Sequence, residues 1–256
     1  MLLFALILNA PIETKIEPVK SPIQVKFMPL KGEEGIYTNC IMKRDFCLQL
    51  KTQENDNSPN LFIKNGKNYE PIDGFSLSPV DDYAKFFFDD KIIDLGNSNY
   101  LISILEHNST MYSGGGASVD TLHLFKLSKT GASWKLSGEL LNIPYRGSKM
   151  IRACFSEQDM KDRHGVCHDE YDYSAVITIN KGSNGEFPNL IYNAIATDYP
   201  ASSKLDKDNS VKIKKSDLYR KKDMGCTFTR MIRFDNKIKQ YKLDKPIPNC
   251  YDYLTF

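Results

Sequence analysis

The densest group of side chains able to do chemistry is His164-Gly165-Val166-Cys167-His168-Asp169-Glu170. Imidazole nitrogen, thiolate and carboxylate oxygen all bind zinc, and the same groups serve as general acids and bases. The spacing argues against both uses. A zinc-hydrolase helix needs His-Glu-x-x-His, which puts two imidazoles on one face with a base beside them. Here Gly165 would interrupt such a helix, and a disulfide claims Cys167. No catalytic set and no metal site is assigned. His164 and His168 are kept as candidate binding residues. A secreted hydrolase built around His164, His168, Asp169 and Glu170 is the alternative reading.

A second loop, Ser113-Gly114-Gly115-Gly116-Ala117-Ser118, has the glycines of a phosphate cradle. It lacks the Lys and Ser/Thr that complete one, and it leads into a strand rather than a helix. It reads as a flexible hairpin connection. Loops on rigid scaffolds carry binding, so Tyr112, Gly114, Gly115 and Gly116 are candidate contacts.

A third stretch, 204–245, is rich in Lys and Arg, including Lys212, Lys214, Lys215, Arg220, Lys221, Lys222, Arg230 and Arg233. Tyr219, Phe228 and Phe234 are interleaved. That mixture suits nucleic acid, but Asp206, Asp208, Asp217 and Asp223 dilute it, and the whole chain carries only +2. A solvated face or an acidic protein partner is the better match, with Lys214, Lys215 and Arg220 as candidate contacts. The carboxylate pairs Asp81-Asp82 and Asp89-Asp90 are adjacent, so on a strand they point to opposite faces and do not form a glycosidase pair. There is no Gly-x-Ser-x-Gly and no cofactor motif. Asn108-Ser109-Thr110 matches a glycosylation sequon and suggests a surface loop.

Six cysteines punctuate the chain in three local pairs: Cys40 and Cys47, Cys154 and Cys167, Cys226 and Cys250. Local closure is the simplest of the connectivities open to six cysteines. An even count behind the apolar run Met1 to Ala10 reads as an exported protein, periplasmic or secreted. That run is too short to span a bilayer and reads as a signal-peptide remnant, although no basic residue precedes it and Pro11 follows the obvious cut. No later segment is apolar enough to cross a membrane.

The elements that position these groups are mostly strands. Fourteen Tyr and fourteen Phe against one Trp favour pleated, half-buried surfaces. Ile23, Val25 and Phe27 alternate with polar residues. Residues 36–50 predict a hairpin turning at Lys43-Arg44-Asp45, with Cys40 facing Cys47. Residues 51–60 predict a loop, Leu61-Phe62-Ile63 a strand, and Asn65-Gly66 a tight turn. Ser78-Pro79-Val80-Asp81-Asp82 predicts a short helix. Strands near Ile92 to Leu95, Tyr100 to Leu105, Thr121 to Leu127 and Ser133 to Leu141 predict a small four-stranded meander. Ser156-Glu157-Gln158-Asp159 opens a capped helix that Gly165 ends, so Cys154 and Cys167 bracket a helical excursion. Ala175 to Ile179 and Leu190 to Ala196 are strands, with a turn at Asn184-Gly185 between them. A short helix follows Ser216, and Phe228 to Phe234 with Ile238 to Leu243 make a last hairpin.

No strand–helix–strand alternation appears. The expected fold is mainly β, an antiparallel β-sandwich or stacked small sheets with two or three short helices. It is stapled by disulfides, with a partial propeller as the alternative. Residues 11–256 are expected to form one domain. The expected function is non-enzymatic binding of another protein, of the inhibitor or toxin-immunity type, through 112–118, 156–170 and 212–222. No nucleic acid, membrane span or cofactor is expected.

Overall fold

Alternating apolar residues and closely spaced turn signals leave this chain one economical way to hide its side chains, which is to pair strands with their neighbours in sequence. The computed structural model describes residues 21–30, 35–41, 44–53, 56–79, 81, 83–181 and 186–256. The signal-peptide reading of 1–10 and the turn at Asn184-Gly185 lie outside the described residues.

The strands are β1 (Ile23–Lys26), β2 (Met28–Leu30), β3 (Ile36–Ile41), β4 (Phe46–Gln53), β5 (Asp56–Asn65), β6 (Asn68–Pro71), β7 (Lys85–Gly96), β8 (Asn99–Tyr112), β9 (Gly115–Thr130), β10 (Ser133–Leu136) and β11 (Leu141–Arg152). The helix α1 (Glu157–Asp162) follows. Then come β12 (His168–Ile179), β13 (Leu190–Tyr199), a 3-10 turn (Lys215–Asp217), β14 (Lys221–Asp235), β15 (Gln240–Leu243) and α2 (Tyr251–Leu254). The fold is mainly β, with antiparallel sheets, two short helices and three disulfides, as the patterning predicts.

One sheet has ten strands in the order β1-β7-β8-β9-β11-β12-β13-β14-β15, with β10 also on β9; the other has five, β2 to β6 in sequence order. The large sheet coils. Its first edge comes back to β12, where Gln24 Nε2 donates to the Ile177 carbonyl at 2.8 Å. Its last edge comes back to the start of β11, where the Tyr241 amide donates to the Leu140 carbonyl at 2.7 Å. Leu105, Leu122, Ile143, Tyr173, Tyr192 and Ile232 fill the inside of that coil. The five-stranded sheet covers the outer face of β7 to β9 over Leu48, Leu50, Phe86, Ile102, Ile104 and Phe125. Successive residues of a strand face opposite ways. So β8 feeds Leu101 and Leu105 to one core and Ile102 and Ile104 to the other, which explains an apolar stretch interrupted only by Ser103 between Tyr100 and Leu105.

Several expectations are corrected. Residues 51–60 are not a loop: β4 continues to Gln53 and β5 resumes at Asp56. Their polar residues sit near the end of a hairpin, where composition imitates a loop. Ser78, Pro79 and Asp81 are not helical; Asp81 makes a turn instead, its Oδ1 accepting from the Tyr83 amide at 2.9 Å. Val80 and Asp82 lie outside the described residues. Two turns without an apolar stripe cannot repay helix nucleation. The stretch Ser133 to Leu141 breaks after Leu136, and a long strand, β11, follows it. Pro144 and Gly147 obscure β11 in the sequence, and the register shifts between Pro144 and Arg146. The four-stranded meander is therefore part of one ten-stranded sheet. The last long strand begins at Lys221, not Phe228. Asn108 of the sequon is buried within β8 rather than on a loop.

Candidate functional site: the crosslinked end of the large sheet

Six strand ends meet at one end of the large sheet. Tyr112 ends β8 where Gly115 starts β9, and the two are register partners. Arg152 ends β11 opposite His168, the first residue of β12. Tyr199 ends β13 beside the start of β14, where Asp198 pairs with Lys221. The three connections between these ends are the Ser113-Gly114 turn, the excursion 153–167 and the segment 200–220. They overlap the three segments, 112–118, 156–170 and 212–222, that the sequence marks as candidate contacts.

Specific bonds tie them together. The Gly114 carbonyl accepts from the Arg152 amide at 2.5 Å. Asn209 Nδ2 donates to the Arg152 carbonyl at 2.7 Å, which fixes 200–220 to the end of β11. Arg163 lies at the centre. Its Nε donates to the Val166 carbonyl at 2.9 Å, Nη1 donates to the Asn209 carbonyl, and Nη2 pairs with Asp169. The Ile213 amide donates to the Asp162 carbonyl at 3.3 Å. Cys154 and Cys167 close the base of the excursion. The helix inside it carries the expected capping box: Ser156 Oγ accepts from the Asp159 amide, and the Asp159 carboxylate accepts from the Ser156 amide. That carboxylate is held below its usual range by the Phe155 amide first, with Ser156 adding to it. His164 and Gly165 turn the chain out of the helix in left-handed conformation, at φ +53° and +85°.

This end of the sheet exposes several large apolar side chains. Met111 is 88% exposed, Met224 74%, Phe155 63% and Tyr112 48%. Arg152 lies over the Phe155 ring with its guanidinium carbon 5.3 Å from the centroid. Lys214 and Lys215 are exposed at the 3-10 turn. Arg220 is not a free cation, because it pairs with Glu170 and Asp172 and lies over the Tyr199 ring.

The structure thus brings Tyr112, Gly114, Gly115, Gly116, His168 and Arg220 to one end of the sheet. His164 lies exposed on the excursion beside them. It does not assemble the carboxylates of 164–170 into a free acid–base set. Asp169 is spent on Arg163 and Glu170 on Arg220. Burial pushes the Asp169 carboxyl up, against the pull of Arg163. Among the described residues, no three His, Cys, Asp or Glu side chains are grouped to hold a metal ion.

Two polar clusters escaped the sequence reading. His123 lies buried between Glu106 and Glu139, with Nε2 3.2 Å from one carboxylate and Nδ1 2.5 Å from the other. Tyr253 bridges Asp198 and Asp223 at 2.6 and 3.0 Å. Both join residues on different elements, and the one local signal is His123 between Leu122 and Leu124 in an otherwise apolar part of β9.

No protein-family model matches the chain, and no curated protein or solved structure shows significant similarity to it. No helix among the described residues is long and apolar enough to cross a membrane.

Proposed function

We propose that this chain is an exported, non-enzymatic protein that binds another protein through the crosslinked end of its large sheet. One observation carries the reading. Three segments far apart in sequence converge on one end of the sheet, tied by a disulfide and the Arg163 network, and that end exposes Met111, Tyr112, Phe155 and Met224. Exposed apolar groups rimmed by charge mark protein contact sites. Aromatic and Met side chains are enriched in such contacts, and Arg152 over Phe155 is a ready polar rim. A surface fixed before binding loses little conformational entropy on association, which suits an inhibitor or immunity-type role. Three disulfides suit the oxidising periplasm or secreted space.

The test is capture of partners from envelope and secreted fractions with the oxidised protein, beside a variant carrying Tyr112→Ser, Phe155→Ser and Met224→Ser. One stoichiometric protein retained by the wild type and lost with the variant is expected. A partner held equally by both would move the interface elsewhere, and no partner from either fraction would defeat the reading.

A further inference from the structure

Beside the same strand ends lies a feature the protein-binding reading does not use. Tyr171 on β12, Asp198 on β13, Asp223 on β14, and Asp252 and Tyr253 on α2 line a cavity of about 250 Å³, with Ser203 to Asp206 forming the remaining wall. Four carboxylates, those of Asp198, Asp206, Asp223 and Asp252, face it against one cation, Lys204. Lys221, register partner of Asp198, partly offsets them.

The hydrogen bonding in this cavity is incomplete in a way that points to a donor. Tyr253 Oη stands 2.6 Å from Asp198 Oδ1 and 3.0 Å from Asp223 Oδ2. A phenol has one proton, so it cannot satisfy both carboxylates at once. Asp223 Oδ1 is already taken by the Gly225 amide at 2.7 Å. Tyr171 is 97% buried, since only 3% of it is exposed, and its hydroxyl has no well-formed hydrogen bond; nor has the neighbouring Ser203 hydroxyl. A buried hydroxyl whose polar neighbour, the Ser203 hydroxyl, is not placed for a well-formed bond is costly, and here it lines a polar space. Burial pushes the Asp198 carboxyl up, and the charges of Asp223 and Asp252 add to that. The site thus concentrates negative charge and acceptor oxygens, those of four carboxylates and two hydroxyls.

A compact group with several N–H donors and a positive charge answers the negative charge and the acceptor oxygens together. A metal ion is a poor match, because no three of these carboxylates are grouped to ligate one. A guanidinium prefers both oxygens of one carboxylate, but one oxygen of Asp198 and one of Asp223 are already tied to Tyr253. An ammonium needs only single oxygens arranged around a point. We propose that this cavity binds a primary ammonium group, carried by a free diamine or by a lysine side chain of a partner protein.

The inference is tested at Asp198 and Asp252, outside the exposed apolar residues that carry the proposed interface, and without any protein partner. Its failure therefore leaves the interface untouched. The oxidised full-length chain is titrated calorimetrically at neutral pH and low salt with 1,5-diaminopentane, with N-acetyl-lysine amide, and with 1-pentanol as the uncharged control. Asp252→Asn is the first variant because Asp252 is exposed; Asp198→Asn is the second. Expected is saturable binding of an amine, none of pentanol, and weakening of about tenfold or more in each variant, in the range of a lost charge-assisted contact. Binding by the lysine amide alone identifies a partner lysine as the source, and binding by the diamine alone a free diamine. Binding of neither amine, or binding that both variants leave unchanged, overturns the assignment. So does calcium binding that both variants abolish while the amines fail.

Discussion

Arg163 and Asp169 form an ion pair almost wholly removed from water, at 1% and 2% exposure. The guanidinium also holds the carbonyls of Val166 and Asn209, so one side chain fixes the helical excursion to the segment 200–220. Removing one member of a buried pair leaves the other charge uncompensated, at a cost of about 3–5 kcal/mol. Arg163→Met is expected to lower the unfolding free energy by that amount in urea. It should also speed hydrogen exchange at the Ile213 amide, which the Asp162 carbonyl holds at the same junction. Unchanged exchange at Ile213 would mean that Arg163 does not fasten the segment.

His123 sets a pH dependence with a definite sign. Burial pushes its imidazole pKa down, but hydrogen bonds to Glu106 and Glu139 and their charges outweigh burial, and the net shift is upward. A raised folded-state pKa means that the folded protein holds the proton more tightly than the unfolded chain. The stabilisation is therefore complete below the unfolded value of about 6.5 and is lost as pH rises through the folded value. Wild-type stability in urea should fall on going from about pH 6 to about pH 9, and His123→Gln should flatten that fall. Parallel pH profiles for the two proteins would remove His123 as the cause.

Much of this architecture is legible in the sequence where the physics is local. Cys40 and Cys47 face each other because a short polar turn joins two alternating strands, and both signals lie within a dozen residues. Ser156 and Asp159 announce their helix for the same reason. The three contact segments are readable as loops, but their convergence is not. It follows from the order β9-β11-β12-β13-β14, which no local pattern encodes. β11 was obscured because Pro144 and Gly147 have tertiary reasons to be there: Pro144 sits at a register shift, and Gly147 lies against the backbone of Tyr253. The Tyr253, Asp198 and Asp223 cluster is invisible for the same reason, since its members are 25 or more residues apart.

The disulfides should differ in value by the loops they close. Separations of 7, 13 and 24 residues for Cys40–Cys47, Cys154–Cys167 and Cys226–Cys250 correspond to about 2.4, 2.9 and 3.4 kcal/mol in the chain-entropy model. Paired Ala substitutions, compared by chemical denaturation, should rank in that order. Cys154→Ala with Cys167→Ala should also weaken partner capture, because that bond closes the base of the exposed excursion. A variant with unaltered capture would separate the bond from the interface.

Gly147 tests how tightly the C-terminal helix is seated. A Cβ at this position would lie 2.1 Å from the Tyr253 carbonyl oxygen and 3.1 Å from its carbon. Those are backbone atoms, so no rotamer change relieves the clash; α2 must move off β11. Tyr253 rides on α2 and is the residue that bridges Asp198 and Asp223. Gly147→Ala should therefore cost about 1–3 kcal/mol, the usual range for forced overpacking. It should also disturb amine binding at the acidic cavity without touching any residue that lines it. Gly131→Ala is the control: a Cβ there meets nothing within 4 Å, and only its φ of +62° opposes the change, at about 1–2 kcal/mol. Both variants should lose stability in urea, but only Gly147→Ala should change the calorimetric titration. If Gly131→Ala altered that titration equally, the effect would be one of global stability, and the seat of α2 on β11 would not be what shapes the cavity.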